Sequence, residues 1–235
     1  MKDIRERTDK AINRFKSKDK TEFMFPSTHD IREEYLVYVT HLIYWFNEIN
    51  FWKNADKKNH LLIVSKPRKY CIEKILEQLG FDEKETNPSV KKDVSFLFTI
   101  GSSHNEILKQ WEGDTPSFEE RLECLKMVSG SGYQVGIIIE PILDSRPSDI
   151  IKECEPFVTG DIWIGLMNHV SLMDPEFKEK YKKSNWFRNL ENPNFLKMCV
   201  DGWLELGNGK LRLKDSIQKI LNVDDRGKIM EGKKL

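Results

Sequence analysis

Residues 94–143 read VSFLFTIGSSHNEILKQWEGDTPSFEERLECLKMVSGSGYQVGIIIEPIL. An apolar run at 94–100 breaks at Gly101-Ser102-Ser103. A helical pattern follows, and a second apolar run at 135–139 stops at Glu140-Pro141. Strand, crossover helix and strand in that order form one right-handed βαβ unit. Both runs are apolar at nearly every position, as in a parallel sheet covered on both faces. Both end at small or charged residues, on the edge where ligands sit in α/β folds.

The same alternation extends outward in both directions. Towards the N-terminus, residues 22–26 (EFMFP) form a strand that ends in Ser27-Thr28-His29-Asp30. An amphipathic helix follows at 32–49, with Asp30 or Thr28 as its cap. Its stripe of Tyr35, Tyr38, Tyr44, Trp45 and Phe46 reads as core. Strand 60–64 ends in Ser65-Lys66-Pro67, and a helix over 70–79 closes at Gly80. Residues 81–93 read as a polar loop, and 3–18 as a polar helix. Inside the opening unit 111–117 is a loop, and Ser117 with Glu120 begins the next helix as a capping box. Beyond Pro141 come a loop, a helix to Cys154 and a strand over 162–166 that ends in Met167-Asn168-His169. The remainder is largely helical, with a closing helix over 213–221.

Five βα units imply an α/β fold: five parallel strands in chain order, curved as a partial (β/α) barrel with helices on the convex side. That is short of the eight units of a complete barrel. The expected organisation is an N-terminal helix (1–21), a core (22–170) and a helical extension (171–235).

Composition narrows the function classes. Lys plus Arg and Asp plus Glu are equal at 38 each in 235 residues, so no global field recruits nucleic acid or an anionic membrane. The charged N-terminus lacks the apolar centre of a signal peptide, and no apolar run approaches the roughly 20 residues of a membrane span. The expectation is a soluble, cytoplasmic protein without a membrane partner. Cys71, Cys124, Cys154 and Cys199 are scattered, with no CxxC or CxxxCxxC spacing. Cys124, beside Leu122, Leu125 and Val128 on a helix, reads as a buried structural thiol.

The five strand ends share one edge of a parallel sheet. They bring together an amine (Lys66), imidazoles (His29, His169), carboxylates (Asp30, Glu140) and hydroxyls (Ser27, Thr28, Ser102). Each has a plainer role as a cap or a solvated side chain. Glu140 has less claim to one, because it directly follows the apolar run GIII. No GxGxxG, Walker A or HExxH pattern is present.

FMFPSTHDI (23–31), LLIVSKP (61–67), FLFTIGSS (96–103), PSFEERLECLK (116–126), IIIEPIL (137–143) and WIGLMNHV (163–170) resemble the radical S-adenosylmethionine superfamily. The nearest branch is the one related to DNA-repair photolyases and spore photoproduct lyases. The resemblance covers about residues 23–169. It implies a partial barrel of six βα units that binds S-adenosylmethionine across the strand ends, beside a [4Fe–4S] cluster held by a CxxxCxxC loop after the first strand. Only five units are read here, and the one missing is the first. The sequence has no CxxxCxxC, so no [4Fe–4S] cluster is expected in this chain. The sheet would then have an open edge, for the N-terminal helix, a protein partner or a second copy to cover.

By the same resemblance, Ser27 and Thr28 hold the methionine amino group, and Ser102 and Glu140 meet ribose and methionine polar groups. Asn168 lies near adenine, and Lys66 and Arg121 contact a carboxylate. Three readings follow. The first is a radical SAM-like domain, incomplete or inactive without its cluster motif, with nucleic acid as a partner by family analogy. The second is a non-catalytic module that binds a nucleotide-like ligand or a protein. The third is a cofactor-free lyase or aldolase with Lys66 as Schiff-base amine and Glu140 as its acid–base partner.

Overall fold

The computed structural model describes residues 2–26, 30–80, 88–168 and 170–230. Its elements begin with α1 (Lys2–Ser17), β1 (Glu22–Phe25), α2 (Leu36–Phe51), β2 (His60–Ser65), α3 (Lys69–Gln78) and α4 (Pro88–Asp93). Then come β3 (Val94–Thr99), α5 (Asn105–Glu112), α6 (Phe118–Gly130), β4 (Gln134–Ile139), α7 (Pro147–Cys154) and β5 (Ile162–Ile164). The C-terminal part holds α8 (Pro175–Lys183), α9 (Asn185–Leu190), α10 (Pro193–Leu206), β6 (Leu211–Leu213) and α11 (Asp215–Leu221). The strands form a six-stranded sheet in the order β1-β2-β3-β4-β5-β6. All five strands expected from sequence are present.

The sixth strand corrects the expected count of five. Residues 211–213 (LRL) form β6, parallel to β5 with Ile164 opposite Leu213, so the last helix begins at Asp215 and not at Leu213. Three residues bounded by Gly207-Asn208-Gly209 are too short to show a strand period. The expected loop at 81–93 contains α4 in its second half; residues 81–87 lie outside the described residues.

Contacts divide the chain into two compact units. Unit 1 comprises residues 1–98 and 119–135, and contains β1, β2 and β3 in parallel register. Leu61, Ile63, Phe96 and Phe98 on the strands are buried, as are Ile72 and Ile75 on α3 and Leu125 and Val128 on α6. Each such side chain contributes roughly 1.5–3 kcal/mol of burial free energy. Phe15 of α1 packs edge-on against Phe23 (4.7 Å) and Phe46 (5.2 Å). The buried face of α2 is Val39, Leu42, Ile43, Phe46 and Asn50. Only Phe46 of the aromatic stripe joins it; Tyr44 is exposed and Tyr35, Tyr38 and Trp45 are half-buried. The entry to β2 is fixed by a buried amide pair. Asn50 Nδ2 donates to Asn59 O (2.7 Å), and Asn59 N donates to Asn50 Oδ1 (3.1 Å).

Unit 2 comprises residues 99–118 and 136–235. β4, β5 and β6 run parallel, with Ile139 opposite Ile164 and Ile164 opposite Leu213. These three side chains form a buried row with Ile150 and Ile151 of α7, Leu196 and Val200 of α10, and Ile217 of α11 also buried. Pro147 at the first turn of α7 and Pro193 at that of α10 occupy positions where a backbone N–H would have no helical partner. Asn192 caps α10 by accepting from Asn194 N (3.0 Å) and Phe195 N (3.2 Å). Among the described residues no helix is long and apolar enough to cross a membrane.

Candidate functional site

One position beyond the buried row Ile139–Ile164–Leu213 stand Glu140, Gly165 and Lys214, at the carboxyl ends of β4, β5 and β6. Backbone bonds carry the register this far: Gly165 N donates to Ile139 O (3.0 Å) and Lys214 N to Ile164 O (2.9 Å). Side chains alternate between faces along a strand, so this row shares a face with Trp163. Lys214 Nζ accordingly lies 5.7 Å from the centre of the Trp163 ring. Lys214 Nζ is also 3.6 Å from Glu140 Oε2, and Asn168 Nδ2 donates to Glu140 Oε1 (2.7 Å).

Gly165 makes this convergence possible. A Cβ there would stand 2.8 Å from Glu140 Oε1 and 2.9 Å from Lys214 Cβ, closer than van der Waals contact allows. The two charged side chains meet over the missing methyl. Glu140 retains 18 % of its side-chain exposure and Lys214 35 %, so the pair is recessed yet open to a ligand. A carboxylate acceptor, an ammonium donor, an amide and an indole face suit a polar ligand carrying hydroxyls.

A second cluster lies on the neighbouring strand end. Fully buried Ser102 Oγ donates to Asp144 Oδ2, and Asp144 Oδ1 accepts from Arg146 N (2.7 Å). His104 Nδ1 lies 3.4 Å from Asp144 Oδ2. Residues 141–143 connect this cluster to Glu140. Leu143 N donates to Gly101 O (3.0 Å), and Ile142 N to Gly165 O (3.3 Å). The segment after β4 is thereby pinned on both sides, so Glu140 and Asp144 leave it at fixed positions.

In unit 1, Lys66 is tied to Asp30: its N–H donates to Oδ1 (2.9 Å) and its Nζ lies 3.4 Å from Oδ2. Asp30 therefore holds the end of β2, not the start of α2, whose N-terminus has no side-chain cap. Ser65 Oγ accepts from Ile31 N (2.9 Å) at the same strand end. The lysine of the lyase reading thus has Asp30 as its ionic partner, while Glu140 has Lys214. Arg121 is fully buried on α6. Ser27, Thr28, His29 and His169 lie outside the described residues.

The cysteines do not fit an iron–sulfur cluster. Cys71, Cys124 and Cys154 are buried on α3, α6 and α7. Burial pushes the Cys71 thiol up to about 11 and the Cys124 thiol up to about 12, with nearby glutamates adding to both. Cluster iron needs thiolates, which burial disfavours. Among the described residues no group of three or more His, Cys, Asp or Glu is placed to hold a metal ion.

No protein-family model and no curated protein matches the chain. Solved structures of spore photoproduct lyase are similar to it. A double mutant with bound AdoMet and dinucleoside spore photoproduct aligns at TM-score 0.47 and 21 % identity, over 78 % of this chain and 52 % of that one. A single-site mutant aligns at TM-score 0.42 and 23 % identity, over 70 % and 45 %. The lyase complexed with the dinucleoside aligns at 0.42 and 22 %, over 78 % and 52 %. The chain spans about half the length of these structures.

Lys214, Gly165, His104 and Asp144 are the members that sequence reasoning missed. Lys214 is hidden from the sequence because it falls inside the expected closing helix 213–221, where the structure has the end of β6. The signal for Asp144 was its place four residues after Glu140, behind the apolar pair Ile142-Leu143.

Proposed function

We propose that this chain is a radical SAM-like domain whose unit 2 strand ends bind an adenosine-type ligand, S-adenosylmethionine by family resemblance. The observation that carries the reading is the Glu140 carboxylate, oriented by Asn168 and recessed beside Gly165 at the carboxyl edge of a parallel sheet. In open α/β sheets ligands bind outside the carboxyl ends of the strands, and an acidic side chain there accepts ribose hydroxyls. Here Asn168 holds one carboxylate oxygen, which leaves Oε2 turned towards Lys214 and open to a ribose hydroxyl donor. Trp163 lends an apolar surface beneath Lys214, and the pinned segment 141–143 keeps the acceptor in place.

Bound S-adenosylmethionine supplies a 5′-deoxyadenosyl radical when an iron–sulfur cluster reduces it. The cysteines of this chain do not furnish that cluster, so its own residues bind and orient the ligand and no radical step is assigned to them. Without cluster chelation of the methionine end, the remaining polar contacts contribute roughly 0.5–1.5 kcal/mol each, against the cost of fixing a flexible ligand. Affinity in the high-micromolar range is expected.

Titration calorimetry with S-adenosylhomocysteine tests this on wild type and Glu140→Gln. Wild-type binding that weakens about tenfold in the variant supports the reading. No heat at millimolar ligand would sink it. A borohydride-stable adduct of a simple aldehyde on Lys66 would favour the lyase instead.

A further inference from the structure

We propose that Lys214 makes the strand-end site selective for a nucleoside that carries an anionic group, a phosphate or a carboxylate, over a neutral one. The inference rests on the adenosine-type reading above and adds the charge of the ligand to it.

Lys214 has N–H donors that a ligand can engage. Its closest anionic atom, Glu140 Oε2, is 3.6 Å away, an ion pair beyond hydrogen-bond length. Among the described residues Nζ makes no other ionic contact and its side chain is 35 % exposed, so its N–H donors can turn from water to a ligand. The neighbouring cation differs. Arg212, two residues earlier on β6, is held by Asp161 (3.1 Å) and Asp225 (3.7 Å) and donates to Gly209 O and Leu211 O. Arg212 is therefore engaged, and Lys214 is the cation in this row with donors to offer.

Its position is also constrained. Its Cβ stands beside Gly165 and its ammonium lies over the Trp163 ring, at the rim beside the carboxylate. A nucleoside whose ribose hydroxyls meet Glu140 carries its 5′ substituent within a few bonds of them. An anionic substituent then completes the ammonium's hydrogen bonds. A neutral one leaves them to water. The Glu140–Lys214 pair is neutral as a whole, so the incoming anion meets directed, charge-assisted donors and not a net repulsive field. The preference should weaken with added salt, since the ammonium is partly exposed.

Calorimetry with adenosine, methylthioadenosine, adenosine monophosphate and S-adenosylhomocysteine on wild type, Lys214→Gln and Lys214→Arg tests this. In wild type the monophosphate and the homocysteine, which carry a phosphate and a carboxylate, should bind about tenfold tighter than adenosine and methylthioadenosine. Lys214→Gln should bring that ratio within about twofold, and Lys214→Arg should keep most of it. Preference for the monophosphate alone identifies phosphate as the group, and preference for the homocysteine alone identifies carboxylate. A ratio near one in wild type, or one that survives Lys214→Gln, overturns the proposal. If adenosine still binds and depends on Glu140, only this inference has failed. If none of the four ligands binds, the adenosine-type reading fails and takes this one with it.

Discussion

At the scale of single residues, Gly165 carries the most specific expectation. Its missing Cβ is the space in which Glu140 and Lys214 approach each other. Gly165→Ala places a methyl against the Lys214 Cβ, which cannot swing away as a side-chain tip can. A loss of about 1–3 kcal/mol in stability is expected from such overpacking, together with weaker ligand binding as Glu140 is displaced. Chemical denaturation and calorimetry on one sample read both. Unchanged stability with unchanged affinity would show that the row tolerates the methyl. Tyr133 gives a pH signature in unit 1. It is buried, its hydroxyl donates to Leu79 O (3.3 Å), and Phe96 packs edge-on to it at 5.7 Å. Burial pushes its phenol up to about 12. The unfolded phenol ionises near 10, so the folded state retains the proton over a window in which the unfolded state loses it. The contribution is present below pH 10 and is lost as pH rises towards 12, by roughly 2–3 kcal/mol. Tyr133→Phe should flatten that part of the stability–pH curve, and an unchanged slope would assign it elsewhere.

At the scale of elements, helix α8 is docked on α5 through Lys180 and Phe177, whose ring lies 6.1 Å from that of Trp111. Lys180 Nζ lies 4.0 Å from the Trp111 ring centre and 5.5 Å from that of Phe177, and donates to Gln110 O (2.5 Å). Desolvation lowers the Lys180 pKa, consistent with an ammonium tucked against aromatic faces. α8 itself buries no residue fully, and its other contacts include Tyr181, stacked on Phe187 at 4.7 Å and donating to Glu191 Oε1 (3.1 Å). Lys180→Met keeps the stem and removes the charge. Loss of about 0.5–2 kcal/mol of local stability is expected, seen as faster amide exchange over α8 with α10 unaffected. The strands show what sequence can tell at this scale. Runs of four to six residues with an apolar core (β1 to β4) were all legible. β5 showed through Ile162-Trp163-Ile164. β6, of the same length but with Arg212 at its centre, did not, because three residues hold too little pattern to separate strand from helix.

At the scale of the whole chain, the three buried cysteines, Cys71, Cys124 and Cys154, give a joint expectation. Buried thiols with raised pKa values are poor ligands, so reconstitution with iron and sulfide should leave no visible charge-transfer absorbance. About four irons per chain, lost when Cys71, Cys124 and Cys154 are changed to serine, would refute this. The same burial should leave Cys71 and Cys124 unreactive towards thiol reagents at pH 8 until the protein unfolds. Each unit has its own core of strand and helix side chains, so a variant in one is expected to report first on the stability of that unit.

The sequence by itself determined the α/β class, the parallel strands in chain order and the polar strand ends. Those properties follow from local periodicity: apolar runs of strand length, helical spacing between them, and a change to polar residues where each run stops. It also singled out Glu140, since a carboxylate directly after GIII has no ordinary place in a core. The tertiary structure alone decided which groups meet. Lys214 is 74 residues from Glu140 in the chain, and only the register of β4, β5 and β6 brings them to 3.6 Å over Gly165. Likewise Asp30 reads locally as a helix cap, yet its carboxylate holds Lys66 because parallel pairing sets the ends of β1 and β2 side by side. Partners across a sheet are chosen by register and by which side chain is absent between them, and neither is written in the residues flanking the site.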